Sequence, residues 1–198
     1  MKKIILVMAF VALTAISAKA ENNLIADPGF EDQGQGAWIN YDFGPEFGRE
    51  YNAADEKHDG KQSLKLWATG KTNDPKKWEM SGAKQVFPIK PGEVINGGAW
   101  LKWEGLNGGE KVIEYKWHDS DKKELGGGIG TVHKTDGAGN WEYQDLNTWT
   151  PLERTAPERA AYVDFRLTLL APGSADIAKG MVWWDDAQIT IEKPASNQ

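Results

Sequence analysis

Short runs in which apolar and polar residues alternate occupy much of the chain after residue 20, and this pattern most constrains the fold. A period of two is typical of a β-strand that buries one face. After residue 20, no segment has the i, i+3, i+4, i+7 apolar spacing of an amphipathic helix over three turns. The clearest predicted strands cover residues 63–68, 94–103, 111–117, 161–170 and 181–191.

Turn-forming residues separate the predicted strands. They include Asp59-Gly60, Pro91-Gly92, Asn107-Gly108-Gly109, Asp136-Gly137 and Pro172-Gly173, and the Gly126-Gly127-Gly128 run is interpreted as a flexible hairpin turn. About ten short strands in a chain of this length are typical of two packed antiparallel sheets. The sequence therefore predicts a single all-β domain over residues 21–198, folded as a two-layer antiparallel β-sandwich, with residues 192–198 as a frayed tail.

The first 20 residues have the order of a secretory signal peptide. Met1-Lys2-Lys3 is basic, residues 4–16 are mostly apolar, and Ala18-Lys19-Ala20 is a small-x-small cleavage site. We therefore expect a mature chain that begins at Glu21 and is secreted or periplasmic. The alternative is an uncleaved membrane anchor.

The charge of the chain argues against two classes of partner. It has 23 basic and 29 acidic side chains, a net charge of −6. Loss of residues 1–20 removes three lysines, which leaves 20 basic against 29 acidic groups and a net charge of −9. Such a surface repels phosphate backbones and anionic lipids, so we expect no nucleic-acid partner and no membrane insertion after signal cleavage. The lack of cysteine excludes disulfides, thiolate metal sites and cysteine nucleophiles.

Alternation also assigns the two faces of each strand. Between residues 162 and 169 the odd-numbered positions are apolar and are predicted to point into the core, which turns the even-numbered positions outward. The same reasoning predicts an exposed surface that interleaves aromatic and charged side chains: Trp67, Trp100, Glu114, Lys116, Tyr162, Asp164 and Arg166.

Three segments in this order resemble the carbohydrate-binding modules of the family 4 and 9 type, within the galactose-binding-like superfamily. They are residues 23–31 followed by Trp38, residues 59–66, and residues 183–189 with their paired aspartates. Residues 91–92 with 98–102, and residues 156–169, are similar to the middle of the family pattern. The resemblance implies a two-layer antiparallel jelly-roll β-sandwich that binds a poly- or oligosaccharide without catalysis. It also implies that the protein acts alone or beside a separately encoded glycan-degrading enzyme.

Ten tryptophans in one small domain are about four times the usual share. Trp38, Trp103, Trp117 and Trp183 are predicted to lie in the core, Trp67 and Trp100 to point outward, and Trp78, Trp141 and Trp149 to lie in polar, loop-like surroundings. Because sugars stack on flat aromatic rings, we expect at least one of the last five to bind sugar, with Trp100 first and Trp141 second. Hydrogen bonds would come from Glu114, Lys116, Tyr162, Asp164 and Arg166 if their strands share the sheet of Trp100.

A calcium site is implied near the two ends of the chain. A jelly roll brings Glu31 and Asp185 together, and backbone carbonyls of the Asp59-Gly60-Lys61 turn would complete a set of oxygen ligands that suits Ca²⁺. Asp186 is the alternate ligand to Asp185. A solvated acidic turn is the alternative interpretation.

Two other functions stay open. Jelly-roll polysaccharide lyases abstract a proton beside a uronate, and Lys116, His118, Tyr162 and Arg166 could serve such a reaction. The third hypothesis is a cell-envelope domain whose outer face binds protein. A zinc site is not favoured, because His58, His118 and His133 have no ligand spacing.

Overall fold

The computed structural model describes residues 22–32, 35–44, 47–70, 78–133, 135–146, 154–171 and 178–193. Within these residues it has ten β-strands and no helix, and each of the predicted strands is present. The strands are β1 (Ile39–Phe43), β2 (Phe47–Ala53), β3 (Ser63–Thr69), β4 (Glu79–Pro88), β5 (Val94–Asn107), β6 (Glu110–His118), β7 (Glu124–His133), β8 (Gly137–Asp145), β9 (Tyr162–Ala171) and β10 (Lys179–Glu192).

The strands form two antiparallel sheets of five, which confirms the predicted all-β jelly-roll sandwich. Sheet A has the order β1-β4-β9-β6-β7, and sheet B has the order β2-β3-β10-β5-β8. Each sheet is centred on a long strand from the C-terminal third of the chain, β9 in sheet A and β10 in sheet B. The chain crosses between the sheets from β5 to β6, so these consecutive strands do not form a hairpin.

The core lies between the two sheets and follows the predicted alternation. The inward residues of β9, from Val163 to Leu169, are fully buried, as are Ala187 and Ile189 of β10. Trp38, Trp103 and Trp117 are also buried in this core, as predicted. Trp184 joins them from β10, next to Val182. The period of two therefore placed these inward side chains of β9 and of the second half of β10 correctly.

The glycine run was predicted as a hairpin turn, and that prediction is wrong. Gly126, Gly127 and Gly128 lie inside β7, paired with Trp117, Lys116 and Tyr115 of β6. A Cβ on Gly127 would overlap the carbonyl oxygen of Tyr115. Glycine is therefore required here by the close approach of two strands, not by a turn.

The two ends of the described chain lie side by side. The amide of Leu24 donates to the carbonyl of Ile189 at 2.8 Å, and the amide of Ala187 donates to the carbonyl of Pro28 at 2.9 Å. Glu192, predicted to begin a frayed tail, is the last residue of β10.

Several predictions fall outside the described ranges: the signal peptide, the turn at residues 172–173, the stacking candidate Trp149 and the end of the tail. Across the ranges that are described, no helix is long and apolar enough to cross a membrane.

Candidate functional site

The predicted binding residues divide between the outer faces of the two sheets. Trp67, Trp100 and Trp141 lie on β3, β5 and β8 of sheet B. The hydrogen-bonding candidates all lie on β6 and β9 of sheet A: Glu114, Lys116, Tyr162, Asp164 and Arg166. The condition set for their joint action with Trp100, a shared sheet, is therefore not met, because the chain changes sheet between β5 and β6.

On sheet B, Trp100 belongs to an aromatic cluster. The imidazole of His58 stacks on its indole at a centroid distance of 3.8 Å and an angle of 13°. Trp141 meets His58 edge-on, and Tyr143 meets Trp100 edge-on. His58 therefore covers one face of Trp100 and closes that face to a sugar. Trp141 lies in β8 rather than in a loop, contrary to the sequence prediction.

Two further tryptophans lie on the outer side of sheet B. Trp67 borders a cavity of about 460 Å³ with Lys65 and Met181. Trp183, predicted to be in the core, is buried on this outer side instead. Its indole N–H donates to Asp55 Oδ1 at 3.1 Å, and the ammonium of Lys65 lies 5.4 Å from its ring centre. Trp183 is therefore covered by flanking charged side chains and does not pack in the sandwich interior.

The outer face of sheet A carries two consecutive cavities, which we call the sheet A groove. One, of about 530 Å³, is lined by Ile39, Lys84, Val86, Pro88, His118, Lys122, Tyr162 and Asp164. The other, of about 300 Å³, is lined by residues that include Tyr41, Trp78, Glu114, Lys116, Arg166 and Thr168. Asp164 and Arg166 are two residues apart on one face of β9, so the cavities follow one another along this strand.

Ionic contacts form the floor of the groove. Asp164 Oδ2 accepts hydrogen bonds from Arg166 Nη2 at 2.7 Å and from Lys84 Nζ at 3.2 Å. Arg166 Nη1 donates to the Tyr41 hydroxyl at 2.8 Å, and the guanidinium lies 4.3 Å from the Tyr41 ring centre. Glu114 lies 3.4 Å from Arg166 Nη1. Burial alone would raise the pKa of Asp164, but the hydrogen bond and charge of Arg166 hold it below its usual range.

Asp164 and Arg166 are outward-facing as predicted, but they are not exposed. Only 1% of Asp164 and 5% of Arg166 is accessible to solvent. Tyr41 from β1 and Lys84 from β4 cover them, and both contacts join residues far apart in the chain. Strand alternation gives the direction of a side chain and not what packs over it, so the sequence prediction missed this burial.

Several buried polar atoms in the groove make no hydrogen bond to the described part of the chain. They are His118 Nε2 and Asp164 Oδ1 in the larger cavity, and Arg166 Nε and Thr168 Oγ1 beside the smaller one. His118 Nε2 lies 3.3 Å from Asp164 Oδ1, but the geometry is not that of a hydrogen bond. Buried polar atoms are nearly always paired in folded proteins, so these four are suited to a bound polar molecule or ordered water.

Sequence reasoning missed several residues of the groove, among them Tyr41, Lys84 and Lys122, and considered His118 only for other chemistry. A signal for Tyr41 was present, since Ile39 to Phe43 alternates apolar and polar residues. Trp78 was identified as a stacking candidate, and it lies at the smaller cavity with 59% of its surface exposed.

The predicted calcium residues also meet. A Cβ added to Gly29 would lie 3.6 Å from both Asp185 Oδ1 and Glu31 Cγ, and 3.8 Å from Asp186 Oδ1. Asp185 is fully buried, and burial raises its pKa to about 7. No group of three His, Asp or Glu side chains in the described ranges is spaced to hold a metal ion. A cation here would therefore need oxygen ligands beyond the two predicted carboxylates.

The turn at residues 58–62 meets these carboxylates with amide groups. The Lys61 amide donates to Glu31 Oε1 at 2.5 Å, and the His58 amide donates to Asp185 Oδ2 at 2.8 Å. Gly60 has a φ of 62°, and a Cβ there would overlap Glu31 Oε1. The turn thus ties the first segment to the last strand through N–H donors, where the sequence interpretation expected carbonyl ligands.

Comparison with known proteins identifies the fold. No protein-family profile and no curated protein matches the chain. The carbohydrate-binding module TmCBM61, solved with β-1,4-galactotriose, matches with a TM-score of 0.51 at 14% identity, over 86% of this chain and 99% of that one. The C-terminal family 22 module of Clostridium thermocellum Xyn10B matches with a TM-score of 0.56 at 15% identity, over 87% of this chain and 96% of that one.

The same fold occurs in another kind of protein. The enzymatically active domain of tailspike protein 4 from bacteriophage CBA120 matches with a TM-score of 0.56 at 11% identity, over 85% of this chain but 21% of that one. Identities this low show a shared fold alone. The modules matched here belong to families 61 and 22, so the resemblance to families 4 and 9 stays a prediction. The chain has the jelly-roll fold that these carbohydrate-binding modules share.

Proposed function

We propose that this protein binds carbohydrate without catalysis, and that the sugar lies in the sheet A groove. The observation that carries the proposal is the groove itself, in which aromatic rings, the exposed Trp78 among them, border buried polar atoms that make no hydrogen bond to the described part of the chain. Sugars need this combination, because their hydroxyls replace water hydrogen bonds while their CH faces pack on aromatic rings. The solved modules of the same fold, one of them bound to a galactotriose, support this class of ligand.

Stacking is expected to supply much of the affinity. Each hydrogen bond to a sugar hydroxyl replaces one to water and nets about 0.5 to 1.5 kcal/mol. Trp78 at the smaller cavity and Tyr162 at the larger one are the rings placed to stack. The tryptophans predicted from the sequence, Trp100, Trp141 and Trp67, form a competing platform on sheet B. Alanine variants distinguish the two candidate surfaces.

Isothermal titration with a panel of neutral and acidic polysaccharides tests the proposal. Trp78→Ala should weaken binding about tenfold, which corresponds to about 1.4 kcal/mol. Trp67→Ala and Trp100→Ala, on the opposite sheet, serve as matched controls and should change the affinity little. Loss of binding in the controls alone would move the site to sheet B. Unchanged affinity in all three variants, in Trp141→Ala and in Tyr162→Ala would refute aromatic stacking.

Export and calcium complete the proposal. The signal-like N-terminus supports a secreted or periplasmic protein that acts alone or beside a separately encoded glycan-degrading enzyme.

We propose that Glu31 and Asp185 bind a structural calcium ion, because a nearby cation would stabilise the ionised form of the buried Asp185. Calcium should raise the melting temperature of the wild type but not of Glu31→Gln. A wild-type melting temperature that does not move between calcium and a chelator would remove the site.

A polysaccharide lyase is the second candidate function. His118 and Tyr162 are cross-strand neighbours in β6 and β9, and both line the larger cavity, which places a potential base beside a potential acid. Lys116 and Arg166 line the adjoining cavity. Incubation with uronate polymers, followed by ultraviolet detection of unsaturated product, distinguishes the two functions. If the wild type formed this product and Tyr162→Phe did not, the protein would be a lyase and the proposal of non-catalytic binding would be wrong. If neither glycan binding nor unsaturated product were detected, a protein-binding domain of the cell envelope would be favoured.

A further inference from the structure

The two cavities of the sheet A groove differ in charge. Among the described residues that line it, the larger cavity has the basic side chains Lys84, His118 and Lys122 and one carboxylate, Asp164. The smaller cavity has three carboxylates, on Glu110, Glu114 and Glu124, against Lys116 and Arg166. A basic pocket is unexpected in a chain whose net charge is −6, since its surroundings repel anions.

The one carboxylate of the larger cavity is already neutralised from within the floor. Asp164 is 1% exposed, and its Oδ2 accepts a hydrogen bond from the guanidinium of Arg166 at 2.7 Å. Lys84 contacts the same oxygen at 3.2 Å and keeps 23% of its side chain accessible. Arg166 also lies 3.4 Å from Glu114, so its charge is shared, but Lys84 and Lys122 by themselves outnumber the single carboxylate among the described residues that line this cavity.

The same cavity offers two features that a simple anion does not need. Asp164 Oδ1 is a buried acceptor without a hydrogen bond to the described chain, and it is suited to accept a hydroxyl proton. Ile39 and Val86 line the cavity with 46% and 44% of their surfaces exposed, beside the ring of Tyr162. Apolar walls of this kind suit the CH face of a sugar ring.

We propose that the larger cavity binds a uronic acid residue, so that the glycan held by the groove is an acidic polysaccharide. Lys122 and Lys84 receive the carboxylate, Asp164 Oδ1 accepts a ring hydroxyl, and Tyr162 with its apolar neighbours packs on the sugar face. The smaller, acidic cavity takes a neighbouring sugar through hydroxyl contacts. This inference rests on the proposed carbohydrate binding in the same groove and specifies its ligand class.

The test compares polygalacturonate and alginate oligosaccharides with the same oligosaccharides after methyl esterification of their carboxylates, by isothermal titration against the full chain. Esterification removes the charge and keeps the ring. We expect at least one acidic oligosaccharide to bind about tenfold more tightly than its ester, with an affinity that falls as salt is raised. The affinity of an ester should change little with salt.

Lys122→Gln and Lys123→Gln form a matched pair. Both side chains are exposed in the same turn between β6 and β7, and both variants lose one positive charge, but only Lys122 lines the cavity. Lys122→Gln should lower the affinity for the acidic oligosaccharide about fivefold and leave the ester unaffected, whereas Lys123→Gln should change neither by more than about twofold. Equal melting temperatures would show that neither variant disturbs the fold.

Each other outcome has a separate meaning. Equal affinity for the acid and its ester, or equal losses in the two lysine variants, would overturn the uronate assignment while glycan binding stands. If neither the acidic and esterified oligosaccharides nor the neutral polysaccharides of the wider panel bound, the proposed function would fail together with this inference.

Discussion

Lys111 is a buried lysine whose ionisation should control part of the stability of the protein. It is 1% exposed at the start of β6. Its ammonium donates to the carbonyl of Thr135 at 2.8 Å and lies 3.9 Å from the ring centre of Trp103. Burial lowers its pKa from 10.5 to about 8, although Glu142 and Asp136 oppose the shift.

The direction of the pH effect follows from proton binding. Below pH 8 both the folded and the unfolded chain hold the Lys111 proton, and burial of the charged ammonium destabilises the folded state. Between about pH 8 and 10.5 the folded chain has lost the proton while the unfolded chain keeps it, so the free energy of unfolding rises with pH. At about 1.4 kcal/mol per pH unit, the gain between pH 7 and pH 9.5 is about 2 kcal/mol.

Lys111→Met tests this reasoning, since methionine fills a similar volume and does not titrate. Urea unfolding at pH 7 and pH 9.5 gives the free energy of unfolding of each variant. Relative to Lys111→Met, the wild type should gain about 2 kcal/mol between these pH values, while other titrating groups cancel in the difference. Lys90→Met, at an exposed lysine before β5, is the matched control for the loss of one positive charge. A difference between wild type and Lys111→Met that is the same at both pH values would refute the argument.

Three further predictions concern stability, the first two measured by urea unfolding and the third by the melting temperature. Asp164→Asn should cost about 1.5 to 3 kcal/mol, because it removes the charged acceptor of the Arg166 Nη2 hydrogen bond, while Glu114 at 3.4 Å still offsets part of the buried charge. The pKa of Asp164 is lowered by folding, so its contribution is present above about pH 4 and lost as pH falls further, and a variant less stable by the same amount at pH 2.5 as at pH 7 would contradict this. Leu167→Ala, at a fully buried site in the central strand of sheet A, should cost about 2 to 5 kcal/mol, and a loss below about 1 kcal/mol would be unexpected. Gly127→Ala should separate β7 from β6 and lower the melting temperature, because its Cβ would overlap the Tyr115 carbonyl; an unchanged melting temperature would mean that the strands adjust freely.

The strands and their inward faces could be predicted from the sequence because alternation is a local property. Val163, Phe165 and Leu167 are apolar residues at alternate positions of one strand. Their shared inward direction can therefore be inferred without knowledge of any distant contact. Local reasoning failed for the glycines of β7 and for Trp141. Their strands are edge strands poor in apolar alternation, and the pairing partners that hold them lie elsewhere in the chain.

What the sequence by itself determined was the all-β class, the central strands and which side chains turn outward. Only the tertiary structure decided which outward side chains share a surface. The turn after β5 contains the same kind of residues as a hairpin turn, yet the chain passes there from sheet B to sheet A and separates Trp100 from Asp164. The groove depends on contacts such as that of Arg166 with Tyr41, 125 residues away. Such long-range contacts leave no periodic trace in the sequence, and so the candidate site emerged only from the fold.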